Sequence, residues 1–163
     1  VGGLGVAFLG TVVSFVFAWY GAQATERFAA IVYDPASEMP MTPLQNLLLA
    51  LVSIAPFMAI NAPTEELVFR GFVLRGISKA WGSTAAVLCS STAFGAQHVI
   101  FAASAPGMLV YFVAFGIWGV IASVIALNHR LFPVVIAHWV VNVMMSAPGI
   151  VFPALQFFGI IPS

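Results

Sequence analysis

Five acidic and five basic residues are the only formally charged groups in the chain, and three of them, Glu65, Glu66 and Arg70, fall within the single stretch Glu65-Glu66-Leu67-Val68-Phe69-Arg70. Apolar sequence flanks this stretch on both sides. A charged side chain at the centre of a membrane helix costs on the order of 2.5–3.5 kcal/mol on insertion scales, so these groups must be paired or used. Glu66 and Arg70 are i, i+4 on a helix and can pair on one face. Glu65 projects about 100° away, on a face that Arg70 cannot equally serve. His138 and Asn142 are also i, i+4, and Phe94 shares a face with His98, so its ring can pack beside the imidazole and orient it. A carboxylate drawn out of water is a competent general base near neutral pH. Glu65 could take a proton from a water held between it and His98. His138 and Asn142 could donate hydrogen bonds to the oxyanion forming on a scissile carbonyl, each such donor being worth about 10²–10³ in rate. These are the parts of a hydrolase.

Bringing them together is the task of apolar helices. The 163-residue chain is 62% hydrophobic and 6% charged, with mean hydropathy +1.09 and zero net charge. Soluble domains have about a quarter of their residues charged. The composition therefore implies an all-α polytopic transmembrane helix bundle, forming one domain over residues 1–163, and five basic residues leave no electrostatic footprint for nucleic acid. A span needs about 20 mostly apolar residues, and the sequence predicts about five: 2–24, 44–62, 84–104, 108–127 and 133–147. A short apolar C-terminal segment over 150–161, interrupted by Pro153, follows as a re-entrant, interfacial or truncated element. Pro63 predicts a break and restart of the helix just before the two glutamates. Trp81-Gly82-Ser83-Thr84 reads as a turn plus cap. The initial valine suggests that the amino terminus is truncated, and residues 4–19 lack the basic leader of a signal peptide. Cys89 reads as a small buried hydrophobe, and Trp19, Tyr20, Trp81 and Tyr111 as an interfacial belt. Gly116 and Gly119, with Gly107 and Ser123 on the same span, suggest close helix packing.

At about 1.5 Å per residue, Glu65 lies about 21 Å from Lys79, His98 about 22 Å from Ser83, and His138 about 12 Å from Arg130. Within a hydrocarbon core roughly 30 Å thick, three helices thus bring Glu65, His98, and His138 with Asn142 to overlapping depth. Arg75 and Lys79 join the second and third spans and Arg130 joins the fourth and fifth, so the positive-inside rule predicts cytoplasmic 71–83 and 128–132 connections.

Glu65-Glu66-x-x-x-Arg70, Phe94-x-x-x-His98 and His138-x-x-x-Asn142, each on its own hydrophobic helix and in that order, resemble the CAAX prenyl protease type 2 and bacteriocin-processing family of intramembrane proteases, shortened to CPBP or Abi. The resemblance covers roughly residues 57–145 and includes Gly71 after the arginine. It implies an intramembrane endopeptidase in a multi-pass protein of a prokaryotic plasma membrane, acting on a membrane-associated peptide or protein, lipidated or not. Glu65 would be the catalytic glutamate, His98 its water-activating partner, and His138 with Asn142 the oxyanion site, while Glu66, Arg70 and Phe94 support them. The family includes both metal-dependent and glutamate-dependent descriptions. No helix carries two histidines one turn apart, as zinc helices often do. A metal-free mechanism that requires no cofactor is therefore preferred, with a zinc-like ion on Glu65, His98 and His138 left open.

Each motif also has a plainer reading. Glu66–Arg70 is a structural ion pair, and His138–Asn142 alone could be interhelical glue. A non-catalytic binding or bacteriocin-immunity module would keep the cluster for shape. A proton or ion pathway would need polar residues toward the far leaflet, where residues 44–60 offer only Gln45, Asn46 and Ser53.

Overall fold

The computed structural model describes residues 41–102 and 105–162, together with Gly5. The helix α1 (Pro43–Glu66) runs through a π-helical segment, Leu67–Val73, into α2 (Leu74–His98), which ends in a 3₁₀ turn, Val99–Phe101. α3 (Ala105–Asn128), α4 (Leu131–Ser146) and α5 (Pro148–Phe157) complete an all-helical bundle. Thr42 starts α1 with a reciprocal cap. Its Oγ1 accepts from the Gln45 N–H at 3.3 Å, and Gln45 Oε1 accepts from the Thr42 N–H at 2.9 Å. Pro43 at the first helical position has no N–H to leave unpaired.

Three helices among the described residues are long and apolar enough to cross a membrane: Pro43–Phe101, Ala105–Asn128 and Leu131–Phe157. Among the described residues this is fewer than the expected count of about five spans, of which 44–62, 84–104, 108–127 and 133–147 fall largely within these three stretches. The expected first span, 2–24, lies outside the described residues. The expected spans 44–62 and 84–104 fall in one helical stretch, Pro43–Phe101, bent at Gly82. Gly82 adopts φ 85 and ψ 168, a conformation in the left-handed region that side-chain-bearing residues avoid, and it makes the turn expected at Trp81–Thr84. The C-terminal segment continues α4 as α5 and packs against α1, where Gly149 lies against Ile54.

The break expected at Pro63 is also corrected, because α1 passes through Pro63 without interruption. In hydrocarbon an unpaired backbone group costs several kcal/mol, so a continuous helix with one missing bond is cheaper than a loop. The irregularity comes one turn later, in the π-helical segment, whose last bond runs from the Leu74 N–H to the Phe69 carbonyl. Ser90 Oγ donates to that same carbonyl at 3.0 Å and ties the widened turn to α2.

α2 and α3 are antiparallel and pack with their backbones in close approach. A Cβ at Gly95 would stand 2.6 Å from the Phe112 carbonyl oxygen, and one at Gly119 would stand 2.8 Å from Ser91 Cα. Only glycine fits at these two crossings, as the small residues of this span suggest. Phe94, Phe115, Trp118 and Val134 fill the core beside the crossing. Tyr111 belongs to that core rather than to an interfacial belt, and Cys89 is exposed rather than buried. Val52, Phe72, Ile100 and Phe132 point outward, as an apolar exterior in lipid requires.

Gly119→Ala or Gly95→Ala should push α2 and α3 apart and lower unfolding free energy by about 1–3 kcal/mol. Gly116→Ala, where an added Cβ meets nothing within 4 Å, should change it by no more than about 0.5 kcal/mol. Thermal unfolding of the three variants in one detergent checks the contrast.

Candidate active site

Glu65 and Glu66 occupy the last turn of α1, Arg70 the π-helical segment, His98 the end of α2, and His138 and Asn142 the middle of α4. Glu66 and Arg70 have no solvent exposure, and His138, Asn142 and His98 are 2%, 3% and 6% exposed. Arg70 Nη1 donates to Glu66 Oε1 at 3.2 Å, as the i, i+4 spacing predicts. The same oxygen accepts from His138 Nδ1 at 2.8 Å, a bond between residues 72 apart in sequence that the spacing could not predict. The guanidinium carbon of Arg70 also lies 4.1 Å from the centre of the Phe94 ring, within reach of a cation–π attraction.

Glu65 is placed differently from its neighbour. Its side chain is 19% exposed, against 0% for Glu66. Oε1 accepts from Asn61 Nδ2 at 3.3 Å. Oε2 stands 3.8 Å from His138 Nε2 and has no hydrogen-bond partner among the described residues. His138 therefore sits between the two carboxylates, bonded to Glu66 through one nitrogen and facing Glu65 with the other. Asn142 reaches the same group from above in the chain, its Nδ2 donating to Asn61 Oδ1 at 2.9 Å.

His98 is held by its own helix. Its Nδ1 donates to the Phe94 carbonyl at 2.7 Å, a bond that fixes the tautomer because a carbonyl can only accept. The ring stacks on Phe115 at 3.7 Å with 10° between planes and lies 4.7 Å from the Phe94 ring. Phe94 thus orients the imidazole as its i, i+4 spacing suggests. Its ring also meets His138 edge-on at 6.1 Å, so one phenyl group touches both histidines and the arginine. Among the described residues, no hydrogen bond or ion pair joins His98 to Glu65; the nearer imidazole is that of His138. No three His, Cys, Asp or Glu side chains among the described residues gather into a group that could hold a metal ion.

Two residues of the site escaped the sequence reading. Asn61 is the link between Glu65 and Asn142; its spacing of four from Glu65 was the available signal. Trp118, among the largest fully buried side chains, lies edge-on to His138 at 5.9 Å, and nothing in the sequence distinguishes it from other core aromatics.

Removing Arg70 leaves a buried carboxylate without its cation, a change that typically costs about 3–5 kcal/mol. Arg70→Ala should therefore lower thermal stability and yield of folded protein as well as any activity. A variant that unfolds like the parent would show that the ion pair is not structural.

The arrangement can be compared with known proteins. The family model for type II CAAX prenyl endopeptidase Rce1-like proteins matches residues 45–144, a stretch that contains every residue of the site. No curated protein and no solved structure matches the chain. With more than half of its length in that match, and with three helices among the described residues long and apolar enough to cross a membrane, the chain belongs to the type II CAAX prenyl endopeptidase Rce1-like family of membrane proteases.

Proposed function

We propose that the protein is an intramembrane endopeptidase in which Glu65 activates the water that attacks a peptide bond within or next to the bilayer. Family membership supports the protease. The single observation that carries the choice of base is the unequal setting of two adjacent carboxylates: Glu66 is fully buried and bonded through Oε1 to Arg70 and His138, whereas Glu65, 19% exposed, takes only an amide N–H on Oε1 and faces His138 Nε2 with Oε2 from 3.8 Å.

In this reading Glu65 takes a proton from water as its oxygen bonds to the carbonyl carbon, then passes that proton to the departing amine. His98, with Nδ1 held by Phe94, offers Nε2 to orient the water. His138 and Asn142 stabilise the oxyanion of the tetrahedral intermediate. Asn142 has one amide N–H engaged with Asn61 and a second left for this purpose. Glu66 fixes the orientation of His138 and stabilises charge on it, as the buried carboxylate does in a Ser-His-Asp triad. The reaction so written needs no metal. The substrate is a membrane-associated, lipidated peptide or protein, in keeping with the family's CAAX prenyl description. Arg75, Lys79 and Arg130 are exposed at one end of the α2–α3 pair, which supports a cytoplasmic setting for the 71–83 and 128–132 connections; we read the membrane as a prokaryotic plasma membrane.

Glu65→Gln should lower cleavage of a prenylated C-terminal peptide by at least about 10² while the protein still inserts and unfolds at its normal temperature. Undiminished turnover would remove Glu65 from the mechanism. A biological activity kept without cleavage would favour a binding or immunity module, and ion flux across liposomes without cleavage would favour a pathway. Chelator treatment should leave the rate within about twofold, with elemental analysis showing no stoichiometric metal; loss of activity that zinc restores would make the site metal-dependent.

A further inference from the structure

We propose that Asn61 is a positioning residue of this site, holding Glu65 and Asn142 in register through a single carboxamide. The inference rests on the reading of Glu65 as the base and extends it to a residue outside the three motifs.

The chemistry of the groups sets the direction of every bond. An ionised Glu65 can only accept, so Asn61 must present its NH₂ to Oε1, at 3.3 Å. That choice turns the Asn61 carbonyl oxygen toward α4. The oxygen can only accept in turn, so Asn142 must present its own NH₂, at 2.9 Å. Two otherwise ambiguous amides are thereby oriented by one carboxylate. The clasp also joins α1 to α4, which are far apart in sequence and share no other hydrogen bond besides that of Glu66 with His138 among the described residues. Without Asn61, Glu65 would lose the one hydrogen bond it makes among the described residues, and the Asn142 amide would be free to flip and present oxygen where the oxyanion requires N–H.

The consequence is specific. Misplacing a catalytic group by about 1 Å can cost about 10² in rate. Asn61→Leu, close to Asn in size but unable to hydrogen-bond, should lower kcat on a fluorogenic farnesylated C-terminal peptide by about 10–100-fold with KM within about threefold. Asn61→Ala serves if the leucine variant does not fold. Combined with Asn142→Ala, the loss should be close to that of the worse single variant rather than the product of the two, because both changes break one network. Independently of turnover, the ¹⁵N-labelled side-chain amide of Asn142 in detergent should be protected from hydrogen exchange in the parent and lose that protection in Asn61→Leu.

Unchanged kcat in a folded Asn61 variant, multiplicative losses in the double variant, or an unaltered Asn142 amide would each overturn the inference. Glu65→Gln, assayed in parallel, separates the two levels. If it is inactive while Asn61→Leu is normal, only the positioning role fails; if Glu65→Gln turns over normally, the base assignment itself is lost.

Discussion

One oxygen atom, Oε1 of Glu66, organises the interior of this protein. It accepts from Arg70 on its own helix and from His138 on α4, all within a region closed to solvent. A buried carboxylate and guanidinium are costly to desolvate, and each further donor or polarisable face beside them offsets part of that cost. Here His138 supplies a second donor to the carboxylate and the Phe94 ring supplies a face for the cation. The arrangement fixes α4 against the junction of α1 and α2, and so determines where the neighbouring acid points.

The division between two consecutive glutamates follows from helical geometry combined with that constraint. Glu66 faces the arginine and bonds it through Oε1. Glu65, one residue earlier, is turned toward the gap between α1 and α4, where it meets an amide and the second nitrogen of the same imidazole. The same sequence dipeptide thus yields one fully buried carboxylate and one partly exposed carboxylate without any difference in residue type.

Backbone economy shapes the surroundings. Pro63 cannot donate and would break a helix in water, yet lipid makes a break more costly than a distorted turn, so the chain continues and widens into a π-helical segment. Ser90 holds the widened turn from α2. Gly95 and Gly119 let α3 press against α2 closely enough for Phe115 to stack on His98 and Trp118 to reach His138. Close approach is needed because van der Waals contact, not water exclusion, holds helices together in a membrane.

The sequence by itself determined that the protein is helical and belongs in a bilayer, because hydropathy is a sum over residues and needs no neighbours. It also determined the pairs within a helix, Glu66 with Arg70 and Phe94 with His98, because positions four apart share a face whatever the rest of the chain does. The number of spans was less legible: whether two apolar runs are separate helices or one bent stretch depends on backbone angles at Gly82 and Pro63, which composition does not encode. Only the tertiary structure decided that His138, not His98, faces Glu65, that Glu66 serves an imidazole as well as a guanidinium, and that Asn61 joins two motifs. Each of these is a contact between helices, and such contacts depend on rotation and crossing of the helices, which no spacing along a single one can specify.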